Sequence, residues 1–210
     1  MSDPKVMIGV PTVGAIDPRF YSCSMELVRP NGTMVAVPPR AVTDVARNAI
    51  CRAAIDRGFS HVLFIDDDMT FPPNLLVRLL TLSIEHPEFD AIAALAFARH
   101  APHHPMIYRR KEPGSPLFST VKEFGKGLVE VDGMATAGFL LRIESLKRIE
   151  YPWFEYLYIN GQRYTEDLSF CLKMKDAGAR FACDTDLEMG HLADRREIRR
   201  GDFEQAAGSA

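Results

Sequence analysis

At 210 residues the chain is long enough for one ordinary domain with a continuous core, which excludes a peptide-sized scaffold. A hydrophobic share of 47% beside 25% charged residues is that of a globular chain and excludes a disordered or fibrous one. Lys and Arg total 25 and Asp and Glu 28, and the resulting net charge of -3 excludes a global attraction to nucleic acid or to an anionic membrane.

The N-terminus, Met1-Ser2-Asp3-Pro4-Lys5, leads into Val6-Met7-Ile8-Gly9-Val10, a buried strand, without a signal-peptide pattern. The turn Pro11 to Pro18 follows, then a helix over Phe20 to Val28 stopped at Pro30-Asn31-Gly32, and a strand over Thr33 to Val37. Thr43 caps a helix whose apolar positions Val45, Ala46, Ala49, Ile50 and Ala53 keep helical spacing up to Gly58. His61 to Ile65 is the clearest central strand. Pro72-Pro73 opens a helix through Leu75, Leu76, Leu79 and Leu80, and Asp90 to Ala96 is a further strand. Alternation of this kind predicts an α/β fold, an open, mostly parallel twisted sheet flanked by helices.

The second half is less regular. A Pro/His-rich loop, Arg99 to Pro105, precedes strand-like pieces at Met106 to Arg110, Thr120 to Phe124 and Leu128 to Val131, which together predict a small antiparallel lobe. Ala137 to Arg142 reads as a strand returning to the core, Leu168 to Ala177 as an amphipathic helix, Arg180 to Cys183 as a last strand, and 194–210 as a polar, flexible tail. The expected organisation is a single domain over 1–193, with a ligand-binding half over 1–98 and an acceptor-side half over 99–193. Cys23, Cys51, Cys171 and Cys183 have no CxxC spacing and sit among apolar neighbours, which argues against disulfides and structural zinc. The longest apolar run, Ala91 to Ala98, is far short of a membrane span, so a cytoplasmic location is expected.

Asp66-Asp67-Asp68 follows the most apolar strand, at the carboxyl end where open α/β sheets bind ligands. Strand alternation points Asp66 and Asp68 to one side, where two like charges call for a cation between them; oxygen ligands suit Mg²⁺ or Mn²⁺, often shared with nucleotide phosphates. The same residues also suit a solvated acidic turn that caps the next helix through Asp68 or Thr70. Other phosphate motifs are missing: Pro11-Thr12-Val13-Gly14 is neither GxGxxG nor a P-loop, and no GxSxG elbow occurs.

A first strand ending in Pro11-Thr12, then Ala46-Arg47-Asn48, then Val62 to Ile65 running into Asp66-Asp67-Asp68-Met69, resembles the GT-A nucleotide-sugar glycosyltransferases, in which DxD follows a central strand. Thr136-Ala137-Gly138-Phe139 resembles their small-residue strand beside the donor sugar, Thr165-Glu166-Asp167-Leu168 the ED motif of the inverting members, and Gly190-His191 their late metal-binding histidine. The resemblance spans Val6 to His191 as an ordered set of short motifs. It implies a GT-A-like sheet and transfer of a sugar from a nucleoside-diphosphate sugar to an acceptor hydroxyl, with inversion. Asp68, Asp66 and His191 would then hold Mn²⁺ or Mg²⁺, the imidazole tilting the choice toward Mn²⁺. Pro11, Thr12, Arg47, Asp66, Asp67 and Gly138 would meet the donor, Asp167 would be the general base, and Glu166 would position it. The residues alone leave other readings open: Glu166 and Asp167 also suit first-turn helix acids, Arg47 a solvated helix arginine, and Gly138 close strand packing.

On the acceptor side, Arg99, Arg109, Arg110 and Lys111 with His100, His103 and His104 form a concentrated basic patch, suited to a phosphorylated or nucleic-acid acceptor or to a solvated loop. The tail arginines are balanced by Asp194, Glu197, Asp202 and Glu204. Tyr151, Trp153, Phe154, Tyr156 and Tyr158 form an aromatic run from which Trp153 is the first choice for stacking on a sugar or base. The acceptor class is open among glycans, small molecules and modified nucleic acid. Two competing readings are a nucleotidyltransferase, against which the missing Gly-rich arginine loop argues, and a non-catalytic module that binds a sugar nucleotide.

Overall fold

The protein is described by a computed structural model, which describes residues 4–38, 40–193 and 196–208. The first half runs β1 (Val6–Gly9), α1 (Pro18–Glu26), β2 (Met34–Ala36), α2 (Thr43–Asp56), β3 (His61–Phe64), β4 (Met69–Thr70), α3 (Leu75–Glu85) and β5 (Ala91–Leu95). Next come β6 (Ile107–Arg110), β7 (Phe118–Thr120), β8 (Leu128–Val131), β9 (Gly133–Met134), β10 (Phe139–Arg142) and a 3-10 turn over Ile143–Arg148. The chain continues through β11 (Leu157–Ile159), β12 (Gln162–Tyr164), α4 (Glu166–Asp176), β13 (Phe181–Glu188), β14 (Gly190–Ala193), β15 (Arg196–Ile198) and α5 (Arg200–Gly208).

Seven strands form one mixed sheet in the order β2-β1-β3-β10-β5-β13-β8. Alternate residues of its strands feed two separate cores. Met7, Val62, Phe64, Ala93, Leu141 and Phe181 pack against Ile50 and Cys51 of α2 and Phe170 and Met174 of α4. Ile8, Leu63, Ile92, Leu140 and Ala182 pack on the opposite side, against Phe20 of α1 and Leu75, Leu76 and Leu79 of α3. A sheet covered on both faces needs strands that are apolar throughout, which is why β3 and β5 read as unbroken hydrophobic runs. The result is an α/β fold of three layers.

The sheet is less parallel than the alternating pattern suggests. β10 lies antiparallel between β3 and β5, and β8 lies antiparallel on β13. Hydrophobic periodicity encodes burial, not strand direction, so the segment was legible as a core strand and its sense was not. Gly138 makes this insertion possible: at φ +72° its N–H donates to the Phe64 carbonyl and its carbonyl accepts from the Ala94 N–H, both at 2.9 Å. A Cβ there would collide with the Met189 sulfur.

A small antiparallel sheet, β7-β6-β9, does form from the irregular stretch. Its second strand is Phe118–Thr120, ahead of the expected Thr120 to Phe124, and β8 belongs to the main sheet instead. Residues 196–208 depart from the expected flexible tail. β15 pairs with β14, α5 follows, Ile198 is fully buried, and the Phe203 ring stacks 6.0 Å from that of Phe97. A few apolar side chains suffice to dock an otherwise charged segment. The rest of that stretch, 194–195 and 209–210, lies outside the described residues. Cys51, Cys171 and Cys183 are buried, and burial pushes the Cys171 thiol up to about 12. Among the described residues no helix is long and apolar enough to cross a membrane.

Candidate metal and donor site

β3 stops at Phe64, and the acids occupy a tight turn rather than an extended continuation of the strand: the Met69 N–H donates to the Asp66 carbonyl at 3.2 Å. Side-chain alternation therefore does not aim Asp66 and Asp68; the turn does. β4 leaves this turn and pairs antiparallel with β14, Met69 facing His191. The Leu192 N–H also donates to the Asp68 carbonyl at 2.8 Å. Two residues far apart in sequence are thus fixed side by side by one short ladder. A Cβ at Gly190 would meet the Glu197 carboxylate and the Thr70 hydroxyl, so those side chains would have to shift to admit one.

His191 Nε2 lies 3.3 Å from Asp68 Oδ2, and His191 Nδ1 lies 2.8 Å from the Phe97 carbonyl oxygen. A carbonyl only accepts, so Nδ1 carries the proton and donates. Burial holds the imidazole below its usual pKa, although the Phe97 bond opposes this. A neutral ring in this tautomer turns the Nε2 lone pair toward a carboxylate oxygen, so two acceptors face one another. Two facing acceptors repel unless a positive charge lies close by, and ring N–H donation to a backbone carbonyl is an arrangement compatible with a histidine that ligates through its other nitrogen. Arg99 also pairs with Asp68 Oδ2 from the loop that follows β5.

Arg47 is not solvated. Only 2% exposed, it projects from α2 between Asp66, at 2.7 Å, and Glu166, with which it also pairs. Burial opposes its charge, but Asp66 and Glu166 outweigh this and raise its pKa, so it stays cationic. It ties the end of β3 to the start of α4, and its charge is taken up within the protein rather than left for a pyrophosphate. Asn48, next to it, saturates its amide: Nδ2 donates to Asp44 and Phe154 carbonyls at 2.9 and 2.7 Å, and Oδ1 accepts from the N–H groups of Trp153 and Phe154.

Glu166 and Asp167 form the first turn of α4, with Thr165 as the N-cap. Asp167 Oδ1 accepts from the Leu168 N–H at 2.8 Å and from the Thr165 hydroxyl, and the residue lines the cavity. Burial, and next the Glu166 charge, raise the Asp167 pKa above the ordinary carboxylate value. The Tyr108 phenol, buried and near Asp167, is pushed up to about 12 and stays neutral.

Asp66, Asp68, Arg47, Arg99, Glu166, Asp167 and His191 all line one open cavity of about 400 Å³. Four carboxylates against two guanidinium groups leave it an excess of two negative charges. Among the described residues, however, no three His, Cys, Asp or Glu side chains converge as a complete metal site. Asp66 is turned to Arg47, so of the expected Asp66, Asp68 and His191 only Asp68 and His191 lie side by side. Pro11, Thr12, Asp67, Gly138 and Trp153 do not line this cavity. Gly138 serves the strand insertion, and Trp153 is buried toward the opposite end of β3. The basic patch is dispersed: Arg99 joins the cavity, Arg109 donates to the Glu130 carbonyl, and Arg110 pairs with Asp176. Of the aromatic run, Phe154 is core, stacked 4.4 Å from Phe170. Sequence reasoning missed Arg99 as a partner of Asp68, and no local pattern around it signals that pairing.

No protein-family model matches the chain, and no curated protein matches its sequence. Among solved structures, the crystal structure of A197 from STIV is similar, with a TM-score of 0.70 at 15% sequence identity, over 94% of this chain and 91% of that one. At that identity the likeness is one of fold alone: the α/β arrangement described above is shared along nearly the whole of both chains.

Proposed function

We propose that the protein is a metal-dependent glycosyltransferase that moves a sugar from a nucleoside-diphosphate sugar to an acceptor hydroxyl, with inversion. The observation that carries this reading is the pair of acceptors, Asp68 Oδ2 and His191 Nε2, turned toward each other with the His191 proton committed to Phe97. One carboxylate and one imidazole suit Mn²⁺ or Mg²⁺ ions that take their remaining ligands from diphosphate oxygens and water. Bound there, the ion would supply charge neutralisation to the departing nucleoside diphosphate.

The chain's own groups divide the remaining work. Asp68 and His191 would hold the cation. Arg99, which pairs with Asp68 Oδ2 here, would then be free to meet the incoming diphosphate. Arg47 fixes Asp66 and Glu166 in place. Asp167, whose Oδ1 is held by the Leu168 N–H and the Thr165 hydroxyl, takes the proton of the acceptor hydroxyl as that hydroxyl attacks the anomeric carbon and the nucleoside diphosphate departs. Glu166 makes Asp167 a stronger base through its neighbouring negative charge.

A thermal-shift panel tests the reading: nucleoside diphosphates and nucleotide sugars, with and without Mn²⁺, on wild type and Asp68→Ala. Ligands that bind only the folded state raise its apparent stability by mass action. Metal-dependent stabilisation by a nucleoside diphosphate, abolished by Asp68→Ala, is the expected result. Stabilisation by nucleoside triphosphates alone would favour nucleotidyl transfer instead.

A further inference from the structure

A second cavity, of about 580 Å³, opens at the other end of the sheet, where β3 begins and β10 ends; none of its lining residues belongs to the acidic cavity. Phe59, Ile143, Leu146 and Trp153 form its walls, each less than 9% exposed, and Ile55 and Tyr151 stand at its rim, 40% and 59% exposed. The volume falls within the range that holds a small organic molecule.

The charge here is opposite to that of the acidic cavity. Arg52, Arg142 and Lys147 face Glu144 alone, so the lining carries two uncompensated positive charges. Arg142 gives its donors to the carbonyls of Ser83 and Phe89, and none of the three cations makes an ion pair among the described residues. The exposed Arg52 side chain places its guanidinium 5.1 Å from the centre of the Tyr151 ring and 5.5 Å from that of Trp153, at the edge of the apolar wall. His61, which also lines the cavity, adds no charge at neutral pH, because burial lowers its pKa to about 4.

We propose that this cavity is a binding site for a compact organic anion, with an aromatic or branched apolar body against Trp153, Phe59 and Leu146 and a carboxylate, sulfonate or phosphate at Arg52 and Lys147. Apolar walls provide the gain from burial, and unpaired guanidinium and ammonium groups provide the charge-assisted hydrogen bonds that select an anion over a neutral analogue. The site does not depend on the proposed transferase activity.

The chain has a single tryptophan, Trp153, so its emission reports on this cavity. The probe is 8-anilinonaphthalene-1-sulfonate, compared with the uncharged N-phenyl-1-naphthylamine, which keeps the ring system and lacks the anion. The proposal expects saturable binding with energy transfer from Trp153, weakened about tenfold or more when Arg52→Gln and Lys147→Gln are combined, since each loses a charge-assisted hydrogen bond. The uncharged amine should bind about tenfold or more weakly and be indifferent to that variant. Arg52 and Lys147 are exposed, so the double variant should still unfold in one cooperative urea transition, with a midpoint lowered only slightly by loss of the Arg52 ring contacts; raising salt on the wild-type protein must also weaken the sulfonate and leave the amine unchanged. Binding of the sulfonate that ignores both charge removal and salt, equal binding of the amine, or dye emission without quenching of Trp153 would each overturn the proposal.

Discussion

Asp68 and His191 are held together by strand register: Met69, the residue after Asp68, pairs across β4 and β14 with His191, and this leaves His191 Nε2 3.3 Å from Asp68 Oδ2. The acidic turn and the late histidine therefore form one structural unit, whose electrostatics demand a positive charge between them. Arg99 meets part of that demand.

If Asp68 holds a metal ion as proposed, Arg99 competes with it for the same carboxylate oxygen, and Arg99→Ala should tighten Mn²⁺ binding in the absence of nucleotide. Arg99 and Asp68 side chains are 42% and 31% exposed, so the pair is worth at most about 1 kcal/mol, or about fivefold in affinity. The same substitution should weaken nucleoside diphosphate binding in the presence of Mn²⁺. Isothermal titration with each ligand measures both effects, and the opposite signs distinguish a competing cation from a residue that merely stabilises the loop.

Arg47 is the structural clamp of the site, and Arg47→Met should cost about 3–5 kcal/mol in urea unfolding, because it leaves the buried Glu166 and the half-buried Asp66 without their cation. A loss of less than about 1 kcal/mol, the value of an exposed pair, would contradict the clamp.

Asp167→Asn should lower kcat by about 10²–10⁴ with donor binding intact, as expected when a general base is removed. In wild type, transfer should fall as pH drops through the raised pKa of Asp167, since only the carboxylate accepts a proton. Stability moves the other way. A carboxyl whose folded-state pKa lies above its unfolded value contributes stability that is present below the unfolded pKa and lost as pH rises through the folded one. The asparagine variant, which never ionises, should therefore be at least as stable as wild type at neutral pH, and its advantage should vanish in acid. Chemical unfolding at several pH values checks this.

Gly138→Ala should destabilise the protein by about 1–3 kcal/mol, since it forces a Cβ into the Met189 sulfur at a backbone angle that disfavours side chains. Met189 is fully buried, so Met189→Ala alone should cost about 2–5 kcal/mol; in a double-mutant cycle Gly138→Ala should cost less in the Met189→Ala background than in wild type, and an equal cost would show that the backbone angle dominates.

Local patterns made most of the α/β frame legible. The unbroken apolar run His61 to Ile65 and the leucine stripe of α3 announce themselves, because burial on two faces and helical period are both written in neighbouring residues. The direction of β10 was not legible, since its sense is set by pairing with β3 and β5, strands far back along the chain. The cavity divides in the same way. Asp66 and Asp68 stand out beside a buried strand, but the capture of Asp66 by Arg47, the pairing of Arg99 with Asp68, and the seclusion of Trp153 in a different cavity are contacts between distant segments. No spacing rule encodes them. Ile198 and Phe203 show the same limit at the C-terminal end, where isolated apolar residues among charges look solvated until the partner surface is known.

A cation shared by Asp68 and His191 is tested by pulsed electron paramagnetic resonance of Mn²⁺ bound to the protein in the presence of a nucleoside diphosphate. Direct ligation by His191 predicts modulation from a single imidazole nitrogen, lost in His191→Ala and, together with tight binding of the ion, in Asp68→Ala. A bound Mn²⁺ spectrum without nitrogen coupling, or one unchanged by both substitutions, would contradict a cation held between Asp68 and His191.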